Sequence, residues 1–224
     1  ALSFGGSTPP IVATNESWNG SSWTEVGDLN TARRYLGGAG ASNTSAIAFG
    51  GESPPNADET ETWNGSSWTE VADLNTARHE ITGAGILTSV ISAGGRVATP
   101  RVAVSESWNG SSWTEVGDLN IARGIFASAG TDNTSAIVFG GYDGTDVTAV
   151  VEEWNGTSWT ETTNLSVARY GPRGAGTKSS GLAFGGIKSG SPNVAVDTEH
   201  WTGAGVPIGA WATAASMNTA RYIM

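Results

Sequence analysis

Short apolar runs, each closed by a pair of glycines, recur along this chain. The run AIAF ends at Gly50-Gly51, VISA at Gly94-Gly95, AIVF at Gly140-Gly141, LAF at Gly185-Gly186 and LSF at Gly5-Gly6. Each run has the length of a strand, and the glycines tolerate the positive φ that stops it. In the second copy a variable loop, ESPPNAD, comes next, followed by the polar–apolar alternation TETW (Thr60 to Trp63). Asn64-Gly65 then gives a strong hairpin signal, and SWTEV returns as the second arm. Ahead of the run, RYLGGAG and a polar turn, SNTS, supply one more short strand. No segment carries a 3.6-residue apolar period of helical length. The pattern predicts four short antiparallel strands per unit and an all-β chain.

The unit repeats five times with a period of about 45 residues, which points to a closed array of like pieces. ESWNGSSWTEVGDLNTAR (Glu16 to Arg33), its near copies ending at Arg78, Arg123 and Arg169, and a stretched copy ending at Arg221 mark the frame. Four strands at this spacing are expected for a propeller blade. Residues 1–224 therefore predict a single five-bladed β-propeller. The two ends match each other: Ala1 to Gly6 is a second-strand segment, and Arg221 to Met224 begins a first strand. Pairing of the N- and C-terminal segments would close the ring and remove an exposed sheet edge. Residues equivalent to 37–45 are missing from that join, so a longer parent protein with more blades is the alternative.

The order of Arg33, an apolar strand with Gly50-Gly51, then Trp63, a turn and Trp68 resembles the kelch motif of β-propellers over essentially the whole chain. Trp63 stands where kelch repeats commonly carry Tyr, and kelch propellers usually have six or seven blades. The WNGSSWTE-like units are also similar to kelch-like repeats encoded by bacteriophages and marine viruses. That resemblance implies a place in a virion or other surface assembly, and a virion-associated or extracellular location.

Composition narrows the function. The net charge is −10 with only two lysines, Lys178 and Lys188. No basic stripe exists to neutralise a phosphate backbone, so nucleic acid is not an expected partner. The absence of cysteine excludes disulfides and thiolate chemistry. No stretch approaches 18 consecutive apolar residues, so no membrane insertion is expected. The two histidines, His79 and His200, sit at different repeat positions, and no cluster has metal-ligand spacing. Neither a metal nor another cofactor is expected. The Gly-Ala-Gly sets at 38–40, 83–85 and 174–176, with Ser128-Ala129-Gly130 in the odd copy, lack the strand-to-helix context of a nucleotide loop. They suit inner strands crowding an axis.

Ten tryptophans form five pairs: Trp18 and Trp23, Trp63 and Trp68, Trp108 and Trp113, Trp154 and Trp159, Trp201 and Trp211. Identical placement in every copy is what packing between blades requires, so all ten are assigned to the core. Arg33, Arg78, Arg123, Arg169 and Arg221 follow the second Trp at a constant interval, and Glu16, Glu61, Glu106, Glu152 and Glu199 precede the first. They are assigned structural roles, each guanidinium on a neighbouring carboxylate or strand-end carbonyl.

Variation between copies collects in the 2–3 loops and just after each repeated arginine, all on one face. Positions released from packing are candidates for recognition. Arg34, Tyr35, His79, Glu80, Tyr142, Asp143, Tyr170, Arg173 and Tyr222 are the predicted contacts for a protein or glycan ligand. The reading is a non-catalytic binding or structural module, alone or as part of a larger protein or assembly. Its rivals are a lectin-like propeller with sugar sites between blades, where tryptophans would act directly, and an enzyme on a galactose-oxidase-like propeller.

Overall fold

The computed structural model describes residues 1–189, 194–203 and 211–214, with the backbone alone at 211 and 212. It is all-β: five blades of antiparallel strands in a ring, with no helix among the described residues. Blade 1 holds β1 (Leu2–Phe4), β2 (Asn15–Trp18) and β3 (Trp23–Val26). Blade 2 holds β4 (Gly37–Ser42), β5 (Ser45–Glu52), β6 (Asn56–Trp63) and β7 (Trp68–Glu70). Blade 3 is β8 (Thr82–Ile86), β9 (Ser89–Ala93), β10 (Ser105–Trp108) and β11 (Trp113–Val116). Blade 4 is β12 (Ala127–Asp132), β13 (Ser135–Phe139), β14 (Val151–Trp154) and β15 (Trp159–Glu161). In blade 5 the short β16 (Arg169–Tyr170) and β19 (Ile187–Lys188) pair at the rim. Its main sheet is β17 (Arg173–Thr177), β18 (Ser180–Phe184), β20 (Thr198–Thr202) and β21 (Trp211–Ala214). The inner strands β4, β8, β12 and β17 stand side by side around the axis.

Blade 1 has three strands among the described residues rather than four. The predicted closing pair, along with Arg221 and Tyr222, lies outside the described residues.

Within a blade, the hairpin register sets each tryptophan opposite its partner, as in Trp63↔Trp68 and Trp108↔Trp113. The paired rings are tilted, with centroids 5.3–5.5 Å apart. Asn64 does not itself take the left-handed conformation. Its Oδ1 accepts from the Ser66 and Ser67 amides at 2.9 and 3.0 Å, while Gly65 carries the positive φ of 98°. In blades 2 to 5 the first indole of the pair donates Nε1 to the carbonyl of its own 1–2 turn: Trp63 to Asn43, Trp108 to Leu87, Trp154 to Asn133 and Trp201 to Lys178.

The second indole reaches the preceding blade. Trp113 donates to Thr60 Oγ1 and Trp159 to Ser105 Oγ, both at 3.0 Å. Phe49 meets Trp113 edge-on at 5.0 Å, and Phe4 meets Trp68 at 5.1 Å. At the first joint Trp68 Nε1 and Asn15 Oδ1 are both buried without a partner. Among the described residues seven indoles are buried, but Trp23 is 47% exposed and Trp18 half-buried, so the core assignment of the first pair needs correction. Among the described residues Trp23 has a ring contact only with Trp18, whereas Trp68 and Trp113 are each covered by a phenylalanine of the blade before. The side chain of Trp211 lies outside the described residues.

Four of the repeated arginines, Arg33, Arg78, Arg123 and Arg169, each lock one blade to the next. Arg33 Nη2 lies 2.7 Å from Glu61 Oε1, and Arg169 repeats this with Glu199 at 2.7 Å. Arg78 pairs with Glu106, and Arg123 sits 3.1 Å from Glu152. All four guanidinium groups are fully buried. The second carboxylate oxygen is not wasted: Glu61 Oε2 accepts from the Asn30 amide and side chain at 2.7 and 2.8 Å, and Asn75 and Asn120 do the same for Glu106 and Glu152. Ser166 supplies only its backbone amide to Glu199. Burial lowers the pKa of Arg33 and Arg78 against the pull of their carboxylates, and Arg123, the least well hydrogen-bonded, falls to about 10. These three remain charged at neutral pH.

Inner-strand glycines make room for rings of the preceding blade. A Cβ on Gly38 would meet Phe4 at 2.7 Å, one on Gly83 would meet Phe49 at 2.3 Å, and one on Gly174 would meet Phe139 at 2.7 Å. In blade 4 the equivalent position is Ser128, and the preceding blade carries Ala93 where the others carry Phe. The lost ring and the added side chain compensate, and Ser128 Oγ uses the space to reach Thr82 Oγ1 and the Gly83 carbonyl, both at 2.8 Å.

Candidate functional site

The candidate site is the face that carries the 2–3 loops. Its frame begins two residues after each repeated arginine. Tyr35, Glu80, Ile125 and Gly171 all have left-handed backbone, with φ of 53°, 58°, 55° and 63°. For a β-branched residue such as Ile125 this is a strained conformation that needs support from its surroundings. The support is a chain of backbone hydrogen bonds passing from blade to blade: Glu80 N to Tyr35 O at 2.9 Å, Ile125 N to Glu80 O at 3.0 Å and Gly171 N to Ile125 O at 2.7 Å. The link fixes the main chain at the mouth of the axial channel and leaves residue type free to vary.

The preceding residue in each copy is held from outside. Arg34 bridges to Glu52, His79 to Arg96 and Gly124 to Tyr142, while Tyr170 pairs with Ile187. The two variable regions, separate in sequence, thus form one surface. Arg34 clasps Glu52 through two hydrogen bonds of 2.9 and 3.1 Å, which holds the Glu52 carboxyl below its usual pKa. The Arg34 guanidinium also lies 5.1 Å from the Tyr35 ring centroid, and Tyr35 is 6.3 Å from His79. His79 shares a 2.8 Å hydrogen bond between Nδ1 and Asn56 Oδ1. Burial lowers the His79 pKa, opposed by Glu80 and Glu52, so the ring is neutral at pH 7.

Glu80 is 9% exposed and binds Arg101 at 2.9 Å, with Arg96 at 3.9 Å. Arg101 then covers the Tyr142 ring at 4.4 Å, and Tyr142 is 6.3 Å from Tyr170. A continuous run of guanidinium, aromatic and carboxylate groups therefore crosses blades 2 to 5.

Six of the predicted contacts, Arg34, Tyr35, His79, Glu80, Tyr142 and Tyr170, come together in this run. Asp143 does not join it: its Oδ1 accepts from the Thr145 and Asp146 amides, capping its own turn, and those bonds lower its pKa. Arg173 lies apart as well, inside the channel, and Tyr222 is outside the described residues. Arg96, Arg101, Asn56 and Glu52 were missed by sequence reasoning. Each sits in a 2–3 loop already marked as variable, but nothing in the repeat frame predicts which loop residue turns inward.

The channel below the mouth is a cavity of about 910 Å³ lined by β1 and by β4, β8, β12 and the start of blade 5. Among the described residues no three His, Asp or Glu side chains come together as metal ligands, and no helix is long and apolar enough to cross a membrane.

No family model and no curated protein matches this sequence. Among solved structures, one titled "Structure of YjhT" is similar with a TM-score of 0.76 at 11% identity, covering 94% of this chain and 80% of that one. The shared feature is the fold. At this identity, site chemistry has to be argued from the residues of this chain.

Proposed function

We propose that this protein is a non-catalytic recognition module that presents the varied face of its propeller to a protein or glycan ligand. The carrying observation is that the residues which differ between copies join into one network across four blades, while those that repeat are buried in the joints. Half-buried tyrosines and guanidinium groups on a rigid frame give contact area at low ordering cost. The likeness of the repeats to kelch motifs, and to kelch-like units of phage and marine viral proteins, supports a role in a virion or other extracellular surface assembly.

The lectin-like alternative is less well supported. Indoles that are buried between strands and blades are not available as sugar platforms. A cavity of about 310 Å³ between blades 4 and 5 is lined by Thr131, Ser135, Glu153, Thr177, Lys178, Ser179 and Gly203, with no aromatic.

A glycan array, followed by affinity capture from candidate host surfaces, identifies the ligand. The combined substitution Tyr35→Ala, Tyr142→Ala, Tyr170→Ala is expected to weaken its binding more than tenfold while the melting temperature holds. Unchanged affinity in that variant rejects the face.

A further inference from the structure

Three charged side chains line the axial cavity away from the chain terminus: Arg34, Glu80 and Arg173. Two are neutralised, Arg34 by Glu52 at 2.9 Å and Glu80 by Arg101 at 2.9 Å. Arg173 has no hydrogen bond, ion pair or ring contact among the described residues. It opens β17 at the position that is Gly37, Thr82 and Ala127 in blades 2 to 4. A long cationic side chain thus replaces a small residue at one point of the wall.

From its geometry, we propose that the channel is an oxyanion site in which Arg173 receives a carboxylate or phosphate group. A guanidinium offers five N–H donors in a planar fork suited to such a group. Water reaches Arg173 from the channel, yet the walls desolvate it enough to hold its pKa below the usual value, with no carboxylate opposing the shift. A charge in that setting gains more from a counter-ion than one at an open surface. The walls add polar groups without bulk. Each of β4, β8, β12 and β17 is paired on one side only, so backbone N–H and C=O groups of the free edges face the axis. The Thr82 and Ser128 hydroxyls are also on the wall. In a protein of net charge −10, this is a local reversal of sign at the bottom of the proposed recognition face.

The site deepens the reading of that face as the binding surface, since a ligand held at the mouth would present its acidic group downward. The test uses the full chain and isothermal titration with sodium phosphate and, separately, sodium acetate. Saturable binding of at least one is expected, at least tenfold weaker in Arg173→Gln and unchanged in Lys178→Gln. Phosphate binding without acetate binding assigns a phosphate ligand, and the reverse assigns a carboxylate. In low-salt buffer Arg173→Gln should also melt at a higher temperature than the parent, because it removes an uncompensated charge.

No saturable binding of either anion, equal binding by Arg173→Gln, or a lower melting temperature in that variant overturns the proposal. The last result would mean that Arg173 has an internal partner. The triple tyrosine variant separates the two ideas: it should keep phosphate or acetate binding even as it loses the whole ligand. Failure of anion binding alone leaves the face intact.

Discussion

The joints between blades and the mouth of the channel use the same chemistry, arginine against glutamate beside aromatic rings, to different ends. At the joints, Arg78 and Glu106 are fully buried, Asn75 satisfies the second carboxylate oxygen, and the arrangement recurs with Arg33 and Arg123 and, with a serine amide in place of asparagine, with Arg169. At the mouth, Arg34–Glu52 is partly exposed and Arg101–Glu80 has no counterpart in the other blades among the described residues. A buried pair is expensive to alter, because removing one member strands the other. All four described joints keep it. A rim pair contributes little to stability and is free to change. The constancy of one set and the variety of the other follow from dielectric environment, not from residue type.

The sharpest way to break this comparison is at the joints. Trp108→Ala is expected to cost about 3–5 kcal/mol, as for other large aromatic truncations in cores. Trp23→Ala, on a half-exposed ring, should cost less than half as much, and chemical denaturation of both reads the difference. Equal losses would mean that the first pair is as well packed as the rest. Close behind comes Glu106→Gln, which leaves Arg78 charged and unpaired in a dry site, at about 3–5 kcal/mol. Arg34→Gln at the mouth should cost under about 1 kcal/mol by the same measurement.

A third prediction tests the blade-to-blade compensation. Gly83→Ser alone should lose about 1–3 kcal/mol by overpacking against Phe49. Combined with Phe49→Ala, it should be less damaging than the sum of the two single changes, by about 0.5–3 kcal/mol in a double-mutant cycle. Strict additivity would refute the exchange seen at Ala93 and Ser128.

The smallest effect concerns pH. His79 has a lowered folded-state pKa, so on acidification the unfolded chain takes up this proton first. Its contribution is intact above its ordinary value of 6.5 and is lost as pH falls through the lower folded value. His79→Gln should flatten the stability profile in that window. An unchanged slope would show that His79 titrates normally.

Much of this was legible in the chain. The spacing of Gly-Gly, Trp and Arg marked the blades, and the turn signals at Asn64-Gly65 and its copies marked the hairpins. A structural role for the arginines followed from their repetition; the full burial of the four described ones did not. The third member of each joint, Asn30 or its copies, was visible as a repeated residue but carried no signal of its partner, which lies in the next blade. The pairing of phenylalanine in one copy with glycine in the next was equally present and equally silent, since it requires knowing which side of an inner strand faces backward. At the site, the variable positions stood out. Their assembly did not, because Arg96 and Arg101 reach Glu80 through loop conformations that no period encodes.

Periodicity of apolar runs and turn residues settles strand number, hairpin pairing and blade count, because these depend on neighbours within about a dozen residues. The left-handed chain of backbone bonds at the mouth, the coupling of Arg101 to Tyr142, and the isolation of Arg173 in the channel depend on groups from different blades meeting at one axis. Those meetings exist only once the ring has formed.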